Sequence, residues 1–236
     1  MKAHLFLVCV LFCAESSIAS DNKYAAHTLP DFGNKTQTHN ADPENNSILT
    51  HTPLVVDYLG KKVQLTHGAT KSAIMLIDYF SQSMVDQFKE KRVLELGSGT
   101  GLAGIAANMM GAKVDFTDQS VVMELLEKNV TNNLNTDQLA RSRFKELQWH
   151  NSFSDHPLID VHYDYIIAAD VVYAKEAIQP LVNTLNTFSR RDTVIYLSYI
   201  QRFPWTHDFF DQMNKQFVRT LVQYKEGIWV FKFTKI

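Results

Sequence analysis

Cysteine is nearly missing from this 236-residue chain: there are two, Cys9 and Cys13, both close to the amino terminus. Everything downstream is therefore without a disulfide framework or a thiolate metal site. A preponderance of one charge is missing as well. The 23 basic and 25 acidic residues are interleaved and the formal net charge is −2, so no basic stripe offers electrostatic capture of nucleic acid. The apolar run Ala3–Ala14 falls short of the ~20 residues a membrane-spanning helix needs. No repeat or low-complexity tract follows the first fifty residues, and neither Ser98 nor Ser198 sits in a G-x-S-x-G elbow, which leaves acyl transfer unsupported.

What is present begins with Lys2, the apolar run Ala3–Ala14 broken only by His4, and the small residues of Ser17-Ile18-Ala19. This pattern predicts a secretory signal peptide over 1–19, cleaved after Ala19; an apolar strand is the alternative. Residues 20–47 are polar, rich in Asn, Asp, Thr and His, and are expected to form a flexible arm. The domain proper is expected over 48–236. Sequons stand at Asn34, Asn45 and Asn129, and the arm is expected to take any glycan, because Asn129 lies in a predicted helix. The expected compartment is the secretory pathway or the outside of the cell, with the cytoplasm as the alternative.

From residue 53 the apolar period places the elements. Pro53–His67 reads as a strand pair around Gly60-Lys61-Lys62, and Ala73, Leu76, Ile77, Phe80 and Met84 mark a helix over about 70–84. Strand-like runs then alternate with helical ones: strands Val93–Leu96, Lys113–Thr117, Phe144–Leu147, Tyr165–Ala168 and Val194–Ser198, and helices Ala103–Met110, Val121–Asn132 and Glu176–Phe188. Such alternation predicts a doubly wound, mostly parallel α/β sheet covered on both faces. The runs either side of Lys225-Glu226-Gly227 add a carboxyl-terminal antiparallel hairpin, seven strands in all. Trp205, Phe209, Phe210 and Met213 stand at helical spacing and read as core.

Four glycines, Gly97, Gly99, Gly101 and Gly104, follow the first of these parallel strands. They fall at the carboxyl end of a strand, where open α/β sheets bind ligands, and they open a helix whose first N–H groups lack partners. The dinucleotide fingerprint would put its third glycine at position 102, which is Leu102; the spacing suits a nucleoside other than a nicotinamide dinucleotide. A turn that holds no ligand is the bland alternative. Asp118, just past the second parallel strand, can accept both hydroxyl hydrogens of a ribose or cap the helix from Ser120. Asp170 emerges after the fourth with Tyr173 three residues on. Its carboxylate is expected to face the reactive end of the ligand and suits a cationic reactant; alone, the pair reads as a helix cap and an ordinary aromatic.

Together, Glu95-Leu96-Gly97-Ser98-Gly99-Thr100-Gly101, Asp118, Leu147-Gln148-Trp149 and Asp170-Val171-Val172-Tyr173 resemble the seven-strand S-adenosylmethionine-dependent methyltransferases. More narrowly, they resemble the methyltransferase-like protein lysine methyltransferases with their D-x-x-Y motif, over roughly Val55 to Phe233. The resemblance implies a Rossmann-like fold with S-adenosyl-L-methionine as cofactor. The loop with Glu95, Gly97, Ser98, Gly99 and Gly101 would pass under its methionine part, Asp118 with Gln119 would meet the ribose, Trp149 would line the adenine, and Ala169 would complete the contacts. Asp170 and Tyr173 would border the acceptor channel as catalytic residues. One departure is that Gly68-Ala69-Thr70 lacks the tryptophan that members carry before the first helix.

Catalysis of this kind asks for in-line placement of a neutral nucleophile and little covalent help from the protein. The implied partner is a protein substrate with an acceptor lysine, taken by a monomer with no nucleic acid and no membrane span. A non-catalytic binder of the cofactor or of a partner, or a small-molecule methyltransferase, stays open beside it. His150, His156 and His162, with Asp155 and Asp160, do not match a zinc spacing; no metal is expected and the histidines read as a solvated loop.

Overall fold

The computed structural model describes residues 53–150 and 153–236; the expected signal segment and arm lie outside them. The chain opens with a two-stranded antiparallel sheet, β1 (Leu54–Tyr58) and β2 (Lys61–Leu65), turning at Leu59-Gly60. Helix α1 (Lys71–Ser83) follows, capped by Thr70, whose side chain accepts the Ala73 N–H at 3.1 Å. The alternating units are β3 (Arg92–Leu96), α2 (Leu102–Met109), β4 (Lys113–Asp118), α3 (Ser120–Asn133), the short α4 (Thr136–Leu139), β5 (Ser142–Glu146), β6 (Tyr165–Ala169), α5 (Ile178–Phe188) and β7 (Val194–Ile200). A helix α6 (His207–Met213) and the hairpin β8 (Phe217–Lys225) and β9 (Ile228–Lys235) complete the chain.

The main sheet has seven strands in the order β5-β4-β3-β6-β7-β9-β8. The first five positions pair parallel, whereas β9 runs antiparallel to both β7 and β8, with a bulge between Leu221 and Gln223. After β3 the chain winds outward to β5 and returns on the other side through β6, so the order reverses between β3 and β6. Crevices at such a reversal are where open α/β sheets hold ligands.

Burial explains the strands. Val93 of β3 and Ile167 of β6 face α1, α2 and α3, while Leu94, Leu96, Ile166 and Ala168 face α5 and α6. Both faces are dry, so these strands read as continuous apolar runs and not as alternating ones.

The departures from the sequence reading are local. The third parallel strand ends at Glu146, before the expected Leu147, whose N–H turns to the Asp118 carbonyl at 2.9 Å. The segment expected to start a helix at Glu176 is a 3-10 turn over Lys175–Ala177 before α5. Phe209, Phe210 and Met213 are core residues of α6, as their spacing suggests, whereas Trp205 sits in a 3-10 turn, half-buried and stacked on Phe203 with centroids 4.9 Å apart. Of the histidines, His162 pairs with Asp192 at 3.0 Å and His156 packs edge-on against Phe153 and Phe188, so it is a packing residue more than a solvated one.

Candidate active site

A cavity opens at the carboxyl ends of β3, β4 and β6, at the reversal of strand order. Glu95, Gly97, Ser98 and Gly99 line it from the glycine loop, Asp118 and Gln119 from the end of β4, and Trp149, Ala169, Asp170 and Tyr173 from the far side. Every expected site residue except Gly101 is thus brought to one place. Gly101 belongs to the packing behind the loop. It is the left-handed N-cap of α2 (φ 83°), and a β-carbon there would lie 2.8 Å from Leu126 of α3.

The loop is tied down by its own hydrogen bonds. Ser98 donates its N–H to the Thr117 carbonyl (3.0 Å), and its hydroxyl accepts the Thr117 N–H (3.1 Å). That side chain is therefore engaged by the neighbouring strand, not turned wholly to a ligand. Gly97, at φ 62°, lets Val171 and the Trp149 ring close on the backbone, since a β-carbon would stand 3.0 and 3.2 Å from them. At Gly97 the glycine answers a packing need beside the expected approach of a ligand, and at Gly101 a packing need alone.

Glu95 acts across the β3–α2 contact. Gly101 offers α2 no side-chain cap, and instead Oε1 of Glu95 accepts the Gly104 N–H at 2.9 Å. Oε2 is buried without a hydrogen-bond partner among the described residues. Burial pushes the Glu95 carboxyl up to about 8, against the pull of its hydrogen bonds.

Asp118 is pinned from both sides, accepting the Gly99 N–H on Oδ2 and the Gln119 N–H on Oδ1, each at 2.7 Å. Burial raises its pKa while these two bonds oppose the rise. The capping alternative does not hold, because Gln119 is the N-cap of α3 and no side chain caps that helix. A carboxylate oxygen has lone pairs for more than one donor, so both oxygens keep capacity for hydroxyl donors in the cavity.

On the far side, Trp149 and Tyr173 meet with ring centroids 6.1 Å apart. Asp170 differs from the expectation. It sits in the left-handed region (φ 64°), its N–H donates to the Ser198 carbonyl at 3.0 Å, and its carboxylate forms a bidentate pair with Arg202, Nη2 to Oδ2 at 2.6 Å and Nη1 to Oδ1. The turn carries Asp170 over the end of β7, where Arg202 follows, so the carboxylate is held by a guanidinium and is not open to the cavity alone. Nor is it a helix cap, since Ala174 begins the next turn.

Sequence reasoning did not single out Thr70 and Glu176 as site residues, though both line the cavity together with Gln148 of the Leu147-Gln148-Trp149 segment. Thr70 stands beside the place of the missing tryptophan and spends its hydroxyl on capping α1. The described lining residues include the carboxyl groups of Glu95, Asp118, Asp170 and Glu176 and no lysine or arginine. Burial favours the neutral form of Glu95 and Arg202 offsets Asp170, so Asp118 and the rim residue Glu176 are the groups that favour a ligand carrying an ammonium or sulfonium.

Comparison with known proteins places the chain in a family. A family model described as lysine methyltransferase matches residues 54–216. The chain belongs to this lysine methyltransferase family. Its relatives include the protein N-lysine methyltransferase METTL21A of Xenopus tropicalis, 34% identical over 162 residues, covering 69% of this chain and 73% of that protein. METTL21A of Danio rerio is 34% identical over 166 residues (70% and 75%), and EEF1A lysine methyltransferase 3 of Xenopus tropicalis 29% over 185 residues (77% and 80%). Among solved structures, the fold resembles the T. Thermophilus 16S rRNA methyltransferase RsmC in complex with AdoMet and guanosine, with a TM-score of 0.59 at 14% identity over 78% of this chain and 50% of that one. It also resembles the magnesium protoporphyrin IX methyltransferase ChlM from Synechocystis with bound SAH, TM-score 0.52 at 14% identity, over 70% and 82%. The lysine methyltransferase fold of this chain is thus the Rossmann-like one expected, with its carboxyl-terminal hairpin.

Proposed function

We propose that this chain transfers a methyl group from S-adenosyl-L-methionine to the side-chain nitrogen of a lysine in a protein. The observation that carries the reading is one cavity at the strand-order reversal, joining the glycine loop and Asp118 on one side to Asp170 and Tyr173 on the other. The residues fit the cofactor. Asp118, pinned by Gly99 and Gln119, would take ribose hydroxyls, Trp149 would flank the base, and a lining with carboxyl groups and no lysine or arginine suits a cationic ligand. When bound, the cofactor supplies a methyl group on an already activated sulfonium.

The chain's own residues would prepare the acceptor. Between Trp149, Val171 and Tyr173 an amine is desolvated, which depresses its pKa and favours the neutral nucleophile. Tyr173 would orient it. In this reading the enzyme works as a monomer on a protein and takes no nucleic acid.

Tritiated cofactor incubated with the chain and cell extract should leave acid-stable label in methylated lysine; label confined to RNA or small metabolites would overturn the proposal. The Thr70 cap beside the absent tryptophan favours, as a second reading, a binder without transfer. Calorimetric binding of S-adenosylhomocysteine with no label in any acceptor would be its signature.

A further inference from the structure

We propose that Arg202 is a positioning residue of the acceptor side: by pairing with Asp170 it removes the counter-ion an acceptor ammonium would seek, so that the acceptor amine stands beside Tyr173 in its neutral form. The inference rests on the lysine reading above.

The geometry is specific. Asp170 is at the end of β6 with its side chain 6% exposed, and Arg202, two residues past β7, is 25% exposed. Both carboxylate oxygens meet the guanidinium fork, and the Asp170 N–H is bound to Ser198 of the same neighbouring strand. Two parallel N–H···O bonds fix orientation as well as charge. Among the described residues, Tyr199 on β7, whose hydroxyl donates to Thr206 Oγ1 at 2.5 Å, feels the charges of the pair, and Tyr173 and Glu176 on the segment after β6 share the cavity with Asp170. Tyr199 stays neutral, because burial pushes its hydroxyl up to about 12. Glu176 is exposed at the rim, where it can attract an ammonium without holding it at the reacting position.

An unpaired carboxylate within about 4–6 Å of an ammonium raises its pKa by about 1–3 units. The proton that must pass to bulk water before the nitrogen can attack would then be retained. Paired with Arg202, Asp170 presents almost no net charge.

The test uses the full chain and three variants, Arg202→Met, Arg202→Lys and Arg202→Met combined with Asp170→Asn. The pH dependence of kcat is measured at a saturating concentration of a lysine-bearing protein substrate, because kcat reports the ionisation of the bound amine, with S-adenosylhomocysteine affinity as a control. Arg202→Met should move the rising limb about one unit to higher pH, a fall of about tenfold near pH 7, with unchanged S-adenosylhomocysteine affinity. Arg202→Lys should keep the wild-type limb, and adding Asp170→Asn to Arg202→Met should restore it. A loss equal at every pH, or a double variant whose limb matches that of Arg202→Met, overturns the proposal. Should Arg202→Met not fold, Arg202→Gln carries the same readouts.

If the wild type methylates no lysine, the functional reading fails, and the pair is judged by binding alone. Butylamine is titrated into protein saturated with S-adenosylhomocysteine. Arg202→Met should then bind it about tenfold more tightly than wild type near pH 7, and the double variant should not; equal affinities overturn the inference.

Discussion

Gly104 and Phe116 meet so closely across the α2–β4 contact that a β-carbon on Gly104 would stand 2.3 Å from the Phe116 ring and 2.5 Å from Oε2 of Glu95. Alanine inside an exposed helix usually stabilises by about 1 kcal/mol relative to glycine. Here Phe116 is fully buried and has nowhere to retreat, so the steric term wins. Gly104→Ala is expected to destabilise by about 1–3 kcal/mol, lowering the melting temperature by about 2–4 °C per kcal/mol. Gly68→Ala, with nothing within 4 Å of the added carbon, serves as the neutral comparison. Equal melting of the two variants would contradict the packing account.

Glu95 gives a prediction with a definite sign. Its carboxyl is raised to about 8 by burial, above the ~4.3 of an exposed glutamate. The folded form therefore binds the proton more tightly than the unfolded one. The stability this contributes is present below the unfolded value and is lost as pH climbs through about 8. Glu95→Gln keeps an oxygen for the Gly104 N–H and cannot ionise. Thermal melts across that window should fall with pH more steeply for the wild type than for Glu95→Gln; parallel curves would remove the assignment.

Asp118 should matter for the ligand before it matters for the fold. Asp118→Ala deletes an acceptor that the proposed ribose contact needs and releases the Gly99 and Gln119 N–H groups. A hydrogen bond to a charged group is worth about 1.5–3 kcal/mol, which converts to roughly 10–100-fold in affinity for S-adenosylhomocysteine. Calorimetry with circular dichroism alongside checks both halves. An unchanged affinity would take Asp118 out of the site.

Asn129 is fully buried in α3, accepting the Thr66 N–H and hydroxyl and donating to the Thr100 carbonyl. Expression in a secreting cell should therefore place any glycan on Asn34 or Asn45. A mass shift abolished by Asn129→Gln alone would refute this. A product retained in the cytosol and beginning at Met1 would remove the secretory reading of residues 1–19.

The alternation of strands and helices was legible because each parallel strand is an apolar run buried on both faces and each helix keeps its own period. Gly97, Asp118 and Tyr173 were legible as candidate site residues because the carboxyl ends of such strands lie at one edge, and Trp149 only through the family resemblance. The partner of Asp170 was not. Arg202 is 32 positions away, and nothing short of the pairing of β6 with β7 brings the two together. The reason for Gly101 was hidden in the same way, since Leu126 and Val130, the side chains it admits, belong to a different helix. Local signals name an element's type; contacts between elements need the strand order.

The side chain of Asn129 has a consequence for the amino-terminal hairpin. Through Thr66 it grips the segment after β2, through Thr100 it grips the glycine loop, and one turn further along α3 Asn133 exchanges hydrogen bonds with both backbone groups of Gln64, each at 2.7 Å. The two-stranded sheet is therefore no appendage. Peeling it away would strip acceptors and donors from α3 and loosen a carbonyl of the glycine loop, so hairpin, helix and loop are expected to open as one cooperative unit, with amide protection in β2 and in the loop falling in parallel.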